Sequence, residues 1–303
     1  MNGPRTARAF SPGHITGLFR ALDSDPDPLR RGSVGAGFCI DAGVEATVTL
    51  SDRPGGFKVL YNGVVIDAPV TVMVVRDIVQ RFGLNGHGVT VSYRSPLKIG
   101  AGFGASGAGA LSASIALGSL VDRNMSLNEA GQFAHRAEVE NKTGLGDVIA
   151  QTVGGMEVRT RPGAPGIGEL IQVQHPQDIR VVLAGGVMST KSVLSDPDYR
   201  ARIEQVSRQL VSEVTASPSV DSIIDCSRRF SVGIGLMSAR IRSTLEQLDR
   251  QGLTRSSMVM LGDSVFCLCH DDEVADAVST LSRYWSAEDI ITTTISKTGG
   301  HLL

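Results

Sequence analysis

The chain is poor in the features that mark several protein classes. It has no stretch of 18 apolar residues, so no segment reads as a membrane-spanning helix. It has little excess charge: 29 Lys and Arg against 31 Asp and Glu leave a net charge of −2, which gives no electrostatic reason to bind nucleic acid or an anionic membrane. Only four cysteines occur, Cys39, Cys226, Cys267 and Cys269, in a spacing unlike paired zinc ligands. They are expected to be reduced, buried thiols of a cytoplasmic protein. Met1 to Phe10 is polar and lacks the apolar core of a secretion signal. With 42% hydrophobic residues over 303 positions, the chain is also too apolar for a disordered tail, and long enough for one large domain or two medium ones.

Glycine, by contrast, is abundant: 35 of 303 residues, where about 7% is ordinary. Strand-like and helix-like segments are interspersed, which predicts an α+β or α/β fold. Val44–Leu50, Lys58–Tyr61 and Val89–Tyr93 read as strands, and Pro69–Phe82 as a helix. Gly107–Leu120 reads as a buried helix of small side chains. Ser126-Leu-Asn-Glu129 is a capping box that opens a helix to about Glu140, and Asp147–Val153 is a short helix stopped by Gly154-Gly155. Strands at Met156–Thr160, Leu170–Val173 and Arg180–Ala184 follow, then mostly helix over Pro197–Arg250. Strands at Ser257–Leu261 and Val265–Cys269, a helix over Glu273–Tyr284 and a strand over Ile290–Ser296 complete the pattern. The Pro/Gly loop from Pro162 to Gly168 and the His175-Pro176 turn are the natural boundaries. They predict an N-terminal domain over 1–175 and a C-terminal domain over 176–303.

The most informative segment runs from Ser95 to Gly109. It follows a strand and opens a helix. Gly100, Gly102 and Gly104 allow positive φ and close backbone approach, and the free N–H groups of the following helix suit a phosphate. Gly102 to Gly107 satisfies the letters of the dinucleotide fingerprint, but the region some 20 residues on starts a helix instead of ending a strand in an acid. The lysine of a P-loop is missing, since Ala108-Gly109 follows Gly107.

Gly100-Ala101-Gly102-Phe103-Gly104-Ala105-Ser106-Gly107-Ala108 resembles the second motif of the GHMP kinases, P-x-x-x-G-L-G-S-S-A-A, with Phe103, Ala105 and Gly107 as departures. Ser11-Pro-Gly-His-Ile-Thr-Gly-Leu-Phe19 resembles the first motif, and Lys142-Thr-Gly-Leu-Gly-Asp147 the segment that carries the catalytic aspartate. These segments, with Gly32-Ser-Val-Gly-Ala-Gly37 and Ala137-Glu-Val-Glu-Asn-Lys142, look like the archaeal-type pantoate kinases over essentially the whole chain.

This resemblance implies two α+β domains, the first like ribosomal protein S5 domain 2 and the second ferredoxin-like, with the site in the cleft between them. It implies ATP and Mg²⁺ as cofactors and phosphorylation of pantoate to 4-phosphopantoate. Residues 100–108 would cradle the phosphates, Ser106 and Glu138 (with Glu140 as the alternative) would hold Mg²⁺, and Asp147 would meet the acceptor hydroxyl. Were it not for the motif, Asp147 would read as a helix N-cap. His14 stands where many relatives carry a lysine. His14, Ser33, His135 and Arg159 are the candidate substrate contacts. Arg159 supplies a fork for the carboxylate, with Arg161 as its substitute, and His135 shares a helix face with Glu138. Ser33 would reach the substrate from a flexible loop, and Gly262-Asp263-Ser264 would shape the cleft. Two other readings stay open: a kinase of another hydroxy acid, such as shikimate, homoserine or mevalonate, and a kinase-like fold that only binds ligand. A homodimer is expected by base rate.

Overall fold

The computed structural model describes residues 4–186 and 196–303, so Met1–Gly3 of the polar N-terminal stretch lie outside it. The elements of the first half are β1 (Arg5–Leu22), β2 (Gly32–Pro54), β3 (Phe57–Tyr61), β4 (Val64–Val65), α1 (Pro69–Arg81), β5 (His87–Arg94), α2 (Ala105–Val121), α3 (Leu127–Asn141), α4 (Asp147–Val153), β6 (Met156–Arg161) and β7 (Glu169–Val173). The second half holds β8 (Arg180–Gly186), α5 (Pro197–Ala216), α6 (Val220–Ile234), α7 (Ala239–Arg250), β9 (Ser256–Met258), β10 (Asp263–Cys269), α8 (Val274–Leu281), β11 (Ile290–Thr294) and β12 (His301–Leu302).

The two long first strands pair antiparallel along nearly their whole length, with register shifts at Pro12/Gly13 and Thr16/Leu18. β2 is long enough to serve two branches of the sheet. Its later half pairs with β5, and its earlier half pairs with β6. The segment Gly32–Gly37, expected as a loop, is therefore the start of a strand held on both sides. Its glycines hid it from the sequence reading because glycine is a poor strand former where nothing packs closely. Here something does: a Cβ at Gly37 would sit 2.8 Å from Nε2 of His14 on the neighbouring strand.

The helices cover one face of this sheet. α2 packs on β1 and β2 and between α1 and α3. It is apolar all round and almost wholly buried, as a helix enclosed on every side must be. α1 begins with Pro69 in its first turn, and α3 begins at the capping box, in which Ser126 Oγ accepts from Glu129 N and Glu129 accepts from Ser126 N.

The second sheet has the order β11-β8-β10-β9, antiparallel throughout. Numbered by their place in this half, the strands run 4-1-3-2, the ferredoxin-like arrangement expected. α5 and α6 pack against β1, so the two halves share a contact face. The last residues cross back: β12 pairs with β1 through Ala9 and Leu302, and Gly300 N donates to Gln151 O. The turn after Lys297 is thus pinned to the end of α4. All four cysteines are buried and unpaired with one another. Among the described residues no helix is long and apolar enough to cross a membrane.

Candidate active site

A cleft of about 310 Å³ opens where the glycine loop, the 143–147 turn and the Met260-Leu261 segment meet. One wall is the loop itself. Gly100, Gly102 and Gly104 have φ of 84°, 81° and 67°, and Gly104 is the residue that caps α2. A side chain at Gly104 would meet Gln151 Nε2 and His14 N, each at 2.8 Å, so the tight approach as well as the backbone angle selects glycine. The loop is held by its carbonyls. Ala101 O accepts from Ser264 Oγ at 2.7 Å, Phe103 O from His14 N at 3.0 Å, and Gly104 O from Gln151 Nε2 at 2.8 Å. The N–H groups of Ala105, Ser106 and Gly107, in the first turn of α2, have no partner among the described residues. Carbonyls anchored inward and amides left free make a backbone surface suited to an anion.

The opposite wall carries two carboxylates. Glu138, on the last turns of α3, is buried, and its Oε1 accepts from Ser106 Oγ at 2.5 Å and Thr143 Oγ1 at 2.9 Å. Burial pushes its pKa up; the Ser106 and Thr143 hydroxyls pull it down and the nearby Asp147 charge adds to the rise, giving about 7. Glu140 points elsewhere, exposed and paired with Arg136 Nε at 3.1 Å. Asp147 is the first residue of α4, and the cap position belongs to Gly146, so the side chain does not cap. It reaches His14 instead, with Oδ1 2.7 Å from Nδ1. A side chain at Gly144 would run into Glu138 Oε2 and stand 3.0 Å from Asp147 Oδ2, so both free oxygens flank the same glycine. Burial works to raise the Asp147 pKa, but the His14 hydrogen bond and the charges of His14 and Arg159 outweigh it and hold it below the usual carboxylate range.

Behind Asp147 lies a buried chain of alternating charge. His14 is fully enclosed, and its Nε2 is 3.0 Å from Glu157 Oε1. Glu157 Oε1 also takes a hydrogen bond from Arg159 Nη1. Burial alone would lower the His14 pKa; the Glu157 charge and the hydrogen bonds to Asp147 and Glu157 overcome it and raise it to about 8. Arg159 Nε and Nη2 are buried without a partner among the described residues. Nε lies just behind Gly146, where a Cβ would stand 2.8 Å from it and would also strike Ser33 Oγ. Ser33 and Gly146 line the cleft.

Four expected residues sit differently. Arg159 is buried behind Gly146 and is not among the residues lining the cleft. His135 is on the predicted helix but is not among the residues lining the cleft; its Nε2 is 2.9 Å from Arg31 O, and burial lowers its pKa despite the carbonyls of Arg31 and Pro28. It ties the connection between β1 and β2 to α3. Arg161 does not share the Arg159 face, because a register shift between Arg159 and Arg161 inserts one residue; it is exposed and binds Ile167 O and Glu169. His14 lies one layer below the cleft surface. Sequence reasoning missed Glu157. Its signal was slight: a carboxylate two residues before Arg159 on a strand, hence on the same face.

At the far side, Gly262 backs directly onto the glycine loop, with a Cβ there running into the Ala101 carbonyl. Asp263 turns away to Ser238 and Arg240. A cis peptide joins Met260 and Leu261 at the cleft edge.

This arrangement, an anion-ready helix start facing a pair of carboxylates in one cleft, suits a small-molecule kinase. Comparisons agree. The family model for the N-terminal domain of GHMP kinases matches residues 70–155. The pantoate kinase of Thermococcus kodakarensis is 34% identical over 280 residues, covering 91% of each chain, and that of Methanocaldococcus jannaschii is 32% identical, covering 90% of this chain and 97% of the relative. A solved structure described as a phosphotransferase related to the CoA biosynthesis pathway superposes with a TM-score of 0.86 at 30% identity, over 99% of both chains. A homoserine kinase from Cytophaga hutchinsonii shares the fold at a TM-score of 0.72 and 14% identity, over 98% of this chain and 97% of that one. The chain belongs to the pantoate kinase family of the GHMP kinases.

Proposed function

We propose that this chain transfers the terminal phosphoryl group of ATP to a hydroxyl of pantoate, giving 4-phosphopantoate on the way to coenzyme A. Phosphoryl transfer asks a protein for position and charge rather than for covalent chemistry. Residues 100–108 cradle the phosphates with the free amides at the start of α2. The donor set beside them, the Ser106 hydroxyl and the Glu138 carboxylate, consists of hard oxygens, and a buried carboxylate raised to about 7 gains from a neighbouring cation, so the residues fit Mg²⁺. Bound there, Mg²⁺ would draw charge from the phosphate oxygens.

Asp147 stays ionised at neutral pH and accepts the hydrogen bond of the acceptor hydroxyl, which orients that oxygen toward the phosphates. Arg159, whose Nε and Nη2 have no partner among the described residues, holds the acceptor's carboxylate from behind Gly146, and Ser33 adds a hydroxyl on the same side. His135 contributes by fixing the connection that leads into Ser33. The acceptor sits between the units formed by residues 1–175 and 176–303.

The observation that carries this reading is the buried, half-unpaired guanidinium placed behind Gly146, which with Ser33 and Asp147 lines the cleft. Buried donor nitrogens left without a partner are costly and persist where a ligand completes them. The test is an acceptor panel of pantoate, homoserine, shikimate and mevalonate, each with ATP and Mg²⁺, read by mass of the phosphorylated product. Turnover with pantoate alone is expected. No turnover of pantoate, or equal turnover of another acid, would overturn the assignment.

A further inference from the structure

We propose that Glu157 is a positioning residue for phosphoryl transfer: one buried carboxylate locks His14 against Asp147 and at the same time aims Arg159 at the acceptor. The inference rests on the roles just given to Asp147 and Arg159.

Glu157 lies on β6 directly opposite Gly37 of β2. The missing Cβ of Gly37 leaves the space that the His14 ring fills. Glu157 is 1% exposed and is not among the residues that line the cleft. One of its oxygens serves two neighbours: Oε1 lies 3.0 Å from His14 Nε2 and accepts from Arg159 Nη1. Its other oxygen has no partner among the described residues.

His14 has carboxylate oxygens at both ring nitrogens, Asp147 Oδ1 at 2.7 Å and Glu157 Oε1 at 3.0 Å. A neutral imidazole has one N–H and would turn a lone pair toward one of those carboxylates. Only the imidazolium satisfies both. The other groups facing the ring are Thr16 Oγ1, 3.4 Å from Nδ1, and Arg159 Nη1, 3.4 Å from Nε2. The Arg159 charge opposes protonation and is itself balanced by Glu157. Asp147, His14, Glu157 and Arg159 thus alternate in sign along one buried chain. Asp147 meets the acceptor hydroxyl at one end, and Arg159 meets its carboxylate at the other. The length of this chain fixes the distance between the two substrate contacts. Glu157, inside the chain, touches His14 and Arg159 but not the acceptor.

Removing the Glu157 charge while keeping its shape should therefore affect both ends for the acceptor and neither for ATP. In Glu157→Gln we expect kcat to fall roughly 30-fold, the rate equivalent of one buried charge-assisted hydrogen bond, and KM for pantoate to rise about tenfold, with KM for ATP within about twofold. A residue needed only for folding would instead lower the active fraction and leave both KM values alone. Nitrogen NMR of ¹⁵N-histidine-labelled wild-type protein without substrate gives a second readout, with both His14 ring nitrogens expected to be protonated at pH 7. That measurement decides the matter if the variant does not fold. It also stands apart from the substrate assignment, since it holds even if pantoate is not turned over. A folded Glu157→Gln with unchanged kcat and pantoate KM would overturn the proposal, as would a neutral His14 in the wild type.

Discussion

Gly37→Ala puts the smallest possible side chain into the most crowded point of the buried charge chain. Gly37 has no positive φ, so alanine is allowed by the backbone and its effect is steric. The new Cβ would stand 2.8 Å from His14 Nε2 and 3.1 Å from Cε1, and would run into the Ile15 carbonyl oxygen. Carbon contacts relax at about 3.5–4.0 Å, so the ring must retreat by most of an ångström. That retreat breaks the 3.0 Å bond to Glu157. Overpacking costs about 1–3 kcal/mol, and a lost hydrogen bond to a charged group about 1.5–3 kcal/mol. The lower chain entropy of unfolded alanine returns about 0.4–1 kcal/mol. The net loss is about 2–5 kcal/mol, which corresponds to a Tm lower by roughly 4–15 °C. Thermal unfolding followed by circular dichroism reads this directly, with kcat for pantoate falling in parallel because Asp147 loses its partner. Gly56→Ala is the matched control, since a Cβ there meets nothing within 4 Å and its Tm should hold. A Gly37→Ala protein with the wild-type Tm and kcat would refute the packing account of the His14 site.

Two further perturbations test neighbouring links. The His14 pKa rises on folding from 6.5 to about 8, so its contribution of about 2 kcal/mol is complete below pH 6.5 and is lost as pH climbs through 8. The Glu138 pKa rises from 4.5 to about 7, so its contribution of about 3 kcal/mol is complete below pH 4.5 and lost as pH climbs through 7. Asp147, with a lowered pKa, contributes above its ordinary value and is constant across this range. Ligand-free protein should therefore lose several degrees of Tm between pH 6 and 8.5, and Glu138→Gln should flatten the lower part of that slope; a flat wild-type profile would contradict both shifts. Gln151→Ala removes the bond that holds the Gly104 carbonyl, and should raise KM for ATP about fivefold with pantoate KM within about twofold; equal effects on both would show that the loop and the acceptor pocket are not separately anchored.

What could be read from the sequence was what local chemistry decides. The Ser126–Glu129 capping box, the α4 boundaries and the glycine loop depend on residues a few positions apart, and each lies where it was expected. Long-range pairing was hidden. β1 and the first half of β2 carry glycine and proline at bulges and close approaches, so their alternation is broken, and only their mutual pairing makes them strands. The same limit applied to side chains. Ser106, Glu138 and Asp147 come from short motifs and meet at one cleft. The extra residue between Arg159 and Arg161 moved Arg161 off the shared face, and the Arg31 carbonyl that captures His135 lies 104 residues away in sequence. Glu157 belongs to no motif; its importance arises only when β6 is laid beside β2 opposite a glycine.

The central claim is that Asp147 presents an ionised oxygen to the acceptor across from the free amides of α2. Asp147→Asn keeps the size and removes the charge. The decisive measurement is its steady-state kcat with pantoate and ATP, alongside ATP affinity by titration. The account predicts a kcat lower by about 100-fold or more, with ATP affinity within about twofold of wild type. A variant that turns over pantoate at the wild-type rate would contradict it.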